Sequence, residues 1–244
     1  MRRPTVRGIL VRHAVAWSYL AAVTVAEVSY ALLPAHDQAA LLRLASTNVH
    51  NLQHDPVGCM IISAFFPEGS ARAWPALIAL ALFGANRALG NARTAAVCAA
   101  AHVIGTLVSE GILDFRVAHG LLPESSRYIT DVGPSYVVVA AIAAAILYGG
   151  WPARAAAVLD LALLAFVGGI FSGLGDLNVA AVGHVTALTV GAFGATLAVR
   201  QRRLQRHAVP EVTVPAVATS SAGEIPERET ERAAERAAQR RPPA

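Results

Sequence analysis

Lysine is absent from this chain: all 20 of its basic residues are arginines. Charge of either sign is scarce, at 15% of 244 residues against roughly 25% in an ordinary soluble domain. Six of the 16 acidic residues lie beyond position 210, which leaves the first 199 positions almost without surface charge. A composition that is 55% hydrophobic and so poor in charge calls for lipid around it rather than water. Cysteine is rare as well. Cys59 and Cys98 show neither C-x-x-C spacing nor a framework, which argues against a disulfide scaffold, a zinc ribbon or an iron–sulfur site. The pI near 9.6 would suggest nucleic acid if the arginines were not accounted for by a membrane topology.

What the sequence has in abundance is apolar runs. Residues 14 to 33 follow Arg2, Arg3, Arg7 and Arg12. This run is too long for a signal-peptide h-region and lacks an A-x-A site, so it reads as a retained helix. Further runs cover 74 to 90, 94 to 113, 133 to 150, 154 to 174 and 177 to 198, for six candidate spans. An even count puts both termini on one side. That side carries Arg2, Arg3, Arg7, Arg12, Arg87, Arg93, Arg154, Arg200, Arg202, Arg203 and Arg206, which is 11, against four opposite, Arg43, Arg72, Arg116 and Arg127. Positive charge accumulates on cytoplasmic flanks, so both termini are expected in the cytoplasm, and the basic pI is a topology signal, not a nucleic-acid footprint.

The outer side then holds two long connections, 34 to 73 and 114 to 132, while the inner turns around Gly90 and Trp151 are tight. Within the first, PVGCMIISAFF at 56 to 66 is too short to span and reads as a helix in the outer leaflet or a re-entrant piece. Three parts follow: a basic cytoplasmic N-terminus at 1 to 13, a membrane domain at 14 to 199, and a tail at 200 to 244. The tail turns to Pro, Ser, Thr, Glu and Arg, which cannot bury a core, so it is expected to be disordered and cytoplasmic. ERETERAAERAAQR at 227 to 240 could form a transient helix through Glu and Arg four residues apart. No internal repeat is present.

Polar groups inside a bilayer are costly, and each calls for a reason. His102, Thr106 and Glu110 recur at i, i+4 and i+8, which puts them on one face of the third span, turned to the bundle interior. Such a stripe either packs helices or serves a site. Glu27 and Asp160 stand in no constellation and read as packing residues. Ser135 differs by its place. TDVGPSYVVV offers Asp131 as an N-cap and Pro134 near the first helical position, so the fourth span starts beside Ser135. From Pro134 to Tyr148 a helix covers about 22 Å against about 30 Å of hydrocarbon, so an inner end anchored at Tyr148 and Trp151 leaves Ser135 below the outer surface. Backbone N–H groups at that depth require a water-filled cavity or covering protein.

His184 falls at a comparable depth, about 10 Å past Leu177 on the sixth span. Gly183, Ala187, Gly191 and Gly194 form a small-residue ridge around it that permits close approach of another helix, and the alanine-rich fourth span suits that partner. A serine within reach of an imidazole in a sheltered cavity is the minimum for nucleophilic acyl chemistry.

At this point the chain resembles the rhomboid family of intramembrane serine proteases, over roughly residues 14 to 199. Gly133-Pro134-Ser135-Tyr136 matches the family's G-x-S-G at the start of the fourth helix except at the last glycine. His184-Val-Thr-Ala187-Leu-Thr-Val-Gly191 matches its H-x-x-G-x-x-x-G on the sixth, with alanine for the first glycine. The segment ISAFFPEGSARAWPALIALALFGANRALGNAR is similar to the family's stretch into its second helix. The resemblance implies an all-α membrane protein, a six-transmembrane-helix rhomboid-like bundle in the plasma membrane with both termini cytoplasmic. It implies a serine endopeptidase with Ser135 as nucleophile and His184 as general base, no metal and no cofactor, acting on transmembrane or membrane-adjacent peptides near the outer leaflet. The histidine and asparagine that the family places on its second helix fall, aligned on Phe83-Gly84, at Arg72 and Ala76, and Pro134 has no N–H to donate. Each such oxyanion donor is worth about 10²- to 10³-fold in rate. Gly133, His102 and Thr106 are the candidates to supply what is missing. Two other readings stay open: a non-catalytic rhomboid-like protein that binds transmembrane segments, and a small transporter built on His102, Glu110, Asp131 and His184. Substrate identity and oligomeric state are not encoded legibly.

Overall fold

A computed structural model describes residues 5–66 and 73–208, with backbone only for 206–208. The N-terminal tip, the Arg72 position and the tail beyond 208, with the transient helix expected there, lie outside the described residues; residues 200–208, expected to open the disordered tail, instead continue the last helix, because their backbone carries on its hydrogen-bond ladder. Of the two units into which the chain divides, 1–204 and 205–244, the first holds everything below except the end of that helix at 205–208.

No strand occurs among the described residues. A short helix α1 (Val6–Arg12) precedes α2 (Ala14–Ala31), and α3 (Ala35–Ala45), α4 (Val49–His54) and α5 (Pro56–Ser63) fill the first long connection. There follow α6 (Trp74–Leu89), α7 (Asn91–Ala118), α8 (Ser135–Tyr148), α9 (Trp151–Ala162) and α10 (Val179–Ala208). Each of the six apolar segments marked from sequence therefore carries a helix. Three of them, α2, α7 and α10, are long and apolar enough to cross a membrane, and α6 and α8 are shorter apolar helices.

Boundaries moved for local reasons. The third segment, expected at 94 to 113, runs from Asn91 to Ala118, because its polar ends continue the hydrogen-bond ladder. The fifth, expected to reach 174, ends its α-helix at Ala162, passes through a π-helical turn at Leu163–Val167 and stops at Gly168 and Gly169, the latter at φ +61°. The sixth starts at Val179, two residues late, because Leu177 adopts a left-handed conformation and Asn178 then caps the helix, its Oδ1 accepting from the Ala180 N–H at 3.1 Å. It continues past 198 to Ala208.

Helix α8 is the hub. Ten consecutive residues from Tyr136 to Ala145 are buried, and α6, α7 and α9 pack around them. Their alanines let neighbours approach closely: a Cβ added at Gly84 of α6 would stand 3.1 Å from Ala145, and one at Gly191 of α10 only 2.6 Å from the Ala140 Cα. The small-residue ridge on α10 thus meets α8 at Gly183 and Gly191, while Gly194 faces Val97 of α7. Close backbone approach is how helices gain dispersion energy where no water drives them together.

Candidate functional site

The chain enters α8 through a pinned loop. Asp131 donates its N–H to Ser46 Oγ at 3.0 Å and accepts at its carbonyl from the Thr47 N–H at 2.9 Å and the Thr47 hydroxyl at 3.0 Å. Two residues on, the Gly133 N–H donates to the Ser63 carbonyl at 2.9 Å. These bonds tie both ends of the α4–α5 segment to the strand of chain before α8. Gly133 sits at φ +138°, where a side chain is rarely accommodated, and Pro134 follows as N-cap at φ −72°. Asp131 is not the N-cap expected from sequence: it lies too far upstream, and its carboxylate instead accepts from the Tyr136 hydroxyl at 3.0 Å. With no side-chain cap, the first N–H groups of α8 remain as donors at the positive end of its dipole. Ser135 opens the helix there, half-buried, and no hydrogen bond to its hydroxyl occurs among the described residues.

His184 is 5% exposed on α10. Its Nδ1 lies 3.0 Å from the Ile170 carbonyl oxygen. A carbonyl only accepts, so Nδ1 carries the proton and Nε2 presents a lone pair. That Nε2 is buried and makes no hydrogen bond, with Ser135 or with any other described residue. Close to it stands Tyr136, its ring edge-on to the imidazole with centroids 5.0 Å apart. The His102 ring lies 6.1 Å from the Tyr136 ring, centroid to centroid.

Tyr136 is the centre that the sequence did not reveal. It is 3% exposed, and its hydroxyl end occupies space cleared by Gly183 of α10, with Gly105 of α7 in ordinary contact beside the ring. A Cβ at Gly183 would fall 1.9 Å from its hydroxyl oxygen, and one at Gly105 would fall 3.4 Å from its Cδ2. The signal was present as Gly105 and Gly183, but nothing in one dimension joins them to residue 136.

The stripe on α7 is buried as its period required, with His102 6% exposed, Thr106 0% and Glu110 2%. His102 is held by the loop helix, its Nε2 at 2.9 Å from the Met60 carbonyl and 3.3 Å from Ser63 Oγ. Its N–H is therefore directed at α5, and Nδ1 is left without a partner. Thr106 Oγ1 has none either. The Glu110 carboxyl faces the Val49 backbone N–H, yet neither oxygen completes a hydrogen bond. Asp160 is 0% exposed with both oxygens unpaired, and Glu27 is half-buried on α2. Ala76, which takes the place of the family's second-helix asparagine, lies in the first turn of α6 and donates its N–H to the Ala73 carbonyl at 3.1 Å.

One outer pair escaped the sequence reading. His50 and His54, four residues apart on α4, have ring centroids 4.3 Å apart, and Tyr128 stacks on His50 at 4.8 Å. They gain no third ligand: among the described residues no group of three or more His, Cys, Asp or Glu side chains is placed to hold a metal ion.

Among known proteins, no curated protein and no solved structure matches the chain. The model of one family, described as rhomboid-like protein, matches residues 10–205, a range that includes α2 through most of α10, with Ser135, Tyr136 and His184 inside it. This chain, an apolar helical membrane protein, therefore belongs to the rhomboid-like protein family.

Proposed function

We propose that the chain is an intramembrane serine endopeptidase of six spans, with both termini on the cytoplasmic face of the plasma membrane, cleaving transmembrane or membrane-adjacent peptides near the outer leaflet. The observation that carries this reading is the state of His184. Ile170 fixes its protonated nitrogen, and Nε2 keeps an unused lone pair beside the N-terminus of α8. A general base needs that tautomer and that orientation. Ser135 Oγ attacks the scissile carbonyl carbon while Nε2 takes its proton; the same proton then passes to the leaving amine, and water hydrolyses the acyl-enzyme by the reverse route. The negative oxygen of the tetrahedral intermediate faces the free N–H groups at the start of α8. No metal or cofactor enters this scheme.

Tyr136 favours a second reading. A buried ring where the motif has glycine, hydrogen-bonded to Asp131 and packed on His184, fills the space beside the base. This supports a rhomboid-like protein that binds transmembrane segments without cleaving them. One comparison separates the two. Purified chain incubated with a fluorophosphonate probe should be labelled, and Ser135→Ala and His184→Ala should each abolish labelling. Ser135→Ala protein that is labelled equally, or that processes a transmembrane client as well as the native chain, refutes the endopeptidase reading.

A further inference from the structure

At the end of the bundle opposite Ser135, where α1 meets α2, the polar backbone of the junction is tied to the α6–α7 turn. Asn86 Nδ2 donates to the Arg12 carbonyl at 2.8 Å, and Asn91 Nδ2 to the Val11 carbonyl at 2.8 Å. This fastening brings Arg12, His13 and Arg87 together. Beside them a cavity of about 790 Å³ opens between α6 and α9, walled by Leu80, Phe83, Ala79 and Ala156 and reached by His13 and Arg87. No carboxylate lines it. Among the described residues neither the Arg12 nor the Arg87 guanidinium has an ion pair or a hydrogen-bond acceptor, although carboxylates elsewhere pair with Arg127. Burial, with Arg12 and Arg87 nearby, pushes the His13 imidazole down from its ordinary value, and its Nδ1 is buried without a partner.

Two tryptophans set the level of this opening. Trp17, 42% exposed, packs edge-on against Phe83 with centroids 4.8 Å apart, and Trp151, 80% exposed, directly precedes Pro152 in the cavity wall. Exposed tryptophans mark headgroup depth. The cavity thus joins an apolar slot, of a size that binds small ligands, to the unpaired Arg87 in its lining, with the unpaired Arg12 next to His13 nearby.

We propose that this cavity binds an anionic phospholipid, its phosphate on Arg12 and Arg87 and an acyl chain along Leu80 and Phe83. An apolar slot alone would suit any lipid or a client helix; the uncompensated Arg87 in its lining, with Arg12 near enough to His13 to act on the same charge, selects a phosphate-bearing amphiphile. The site is separate from Ser135 and His184 and does not depend on cleavage.

The test uses the full chain, extracted with an equimolar mixture of phosphatidylglycerol and phosphatidylcholine and examined by native mass spectrometry. The native chain should retain phosphatidylglycerol preferentially. Removing one arginine should cut its affinity about 5-fold, and R12A/R87A about 30-fold, from the usual contribution of a basic residue at an anionic surface. R200A/R203A, which removes two arginines of α10 that do not line the cavity, should leave retention unchanged. Ala79→Phe should abolish retention with both arginines present and with an unchanged circular dichroism spectrum. Excess inorganic phosphate should not displace the lipid. Equal retention of both lipids by the native chain, an equal loss in R200A/R203A, full retention in Ala79→Phe, or displacement by phosphate would each overturn the proposal.

Discussion

Gly191 offers the sharpest test of how α8 and α10 are joined. An added Cβ there would lie 2.6 Å from the Ala140 Cα, 2.8 Å from its carbonyl oxygen and 2.9 Å from its Cβ. Carbon atoms at rest stand about 3.5 to 4.0 Å apart, so Gly191→Ala forces about 1 Å of separation. None of the obstructing atoms is the end of a flexible side chain, so the helices themselves must move. Overpacking of this kind costs about 1 to 3 kcal/mol, and the better helix propensity of alanine returns up to about 1. A net loss of about 1 kcal/mol, and up to about 2, is expected. Gly194 provides the matched control, three residues away on the same helix. There an added Cβ meets only Val97 side-chain carbons, the nearest at 3.3 Å, and a small rotation relieves the contact. Gly194→Ala should be neutral or stabilising by up to about 1 kcal/mol. The assay is reversible unfolding in mixed micelles of increasing denaturing detergent, read by tryptophan fluorescence. Gly191→Ala unfolding at the same midpoint as Gly194→Ala would show that α8 and α10 do not meet at Ala140, and the placement of His184 beside the start of α8 would fall with it.

Other expectations can be checked singly. Tyr136→Phe removes the hydroxyl that donates to Asp131 and should lower stability by about 1.5 to 3 kcal/mol in the same unfolding assay; an unchanged midpoint would mean the hydrogen bond carries no weight. Ser135→Ala, His184→Ala and the double variant should reduce cleavage of a transmembrane client to a common floor, and additive losses would show that the two side chains do not work as one unit. For topology, Glu124→Cys should react with an impermeant maleimide added outside cells against a low background, since Cys59 and Cys98 are both buried; protection of that site in intact cells would invert the orientation.

Much of the fold was legible because apolar runs report helix position directly, and little of it at the ends, because hydropathy is blind to how a helix stops. Asn91 and Arg116 are polar, yet α7 includes both, since backbone bonds and not side-chain polarity carry a helix through its first and last turns. At the other extreme Phe166 and Val167 are strongly apolar, but the glycines behind them and the π-helical turn end α9 early. The first long connection was read as a loop with one apolar piece. It holds three helices, because AHDQAALLRLA is amphipathic enough to form α3 and Asn48 caps α4, its Oδ1 accepting from the Asn51 N–H at 2.9 Å.

The candidate site divides in the same way. His102, Thr106 and Glu110 were predictably interior, since a 3.6-residue period fixes a face whatever the neighbours are. Their partners were not predictable. The α7 stripe was expected either to hydrogen-bond to neighbouring helices and fix their packing or to serve a site; the His102 N–H does bond a neighbouring helix, at the backbone of α5, while Thr106 Oγ1 and Glu110 have no completed bond. Tyr136 carries the argument furthest. From the sequence it counted only as a missing glycine beside Ser135. In the folded chain it is a phenol ring whose hydroxyl answers Asp131 and whose edge meets His184, in a space that exists because residue 183 lacks a side chain. A glycine at 136 would leave that space empty, with Asp131 deprived of the tyrosine hydroxyl. Ser135 opens α8 immediately before this tyrosine, so whatever holds the ring in place also holds the start of the helix. The departure from the motif is thus matched by a glycine on another helix, and the two positions are constrained as a pair: Gly183→Ala, whose Cβ would fall 1.9 Å from the Tyr136 hydroxyl oxygen, should disturb Tyr136 first and, through it, the geometry of His184.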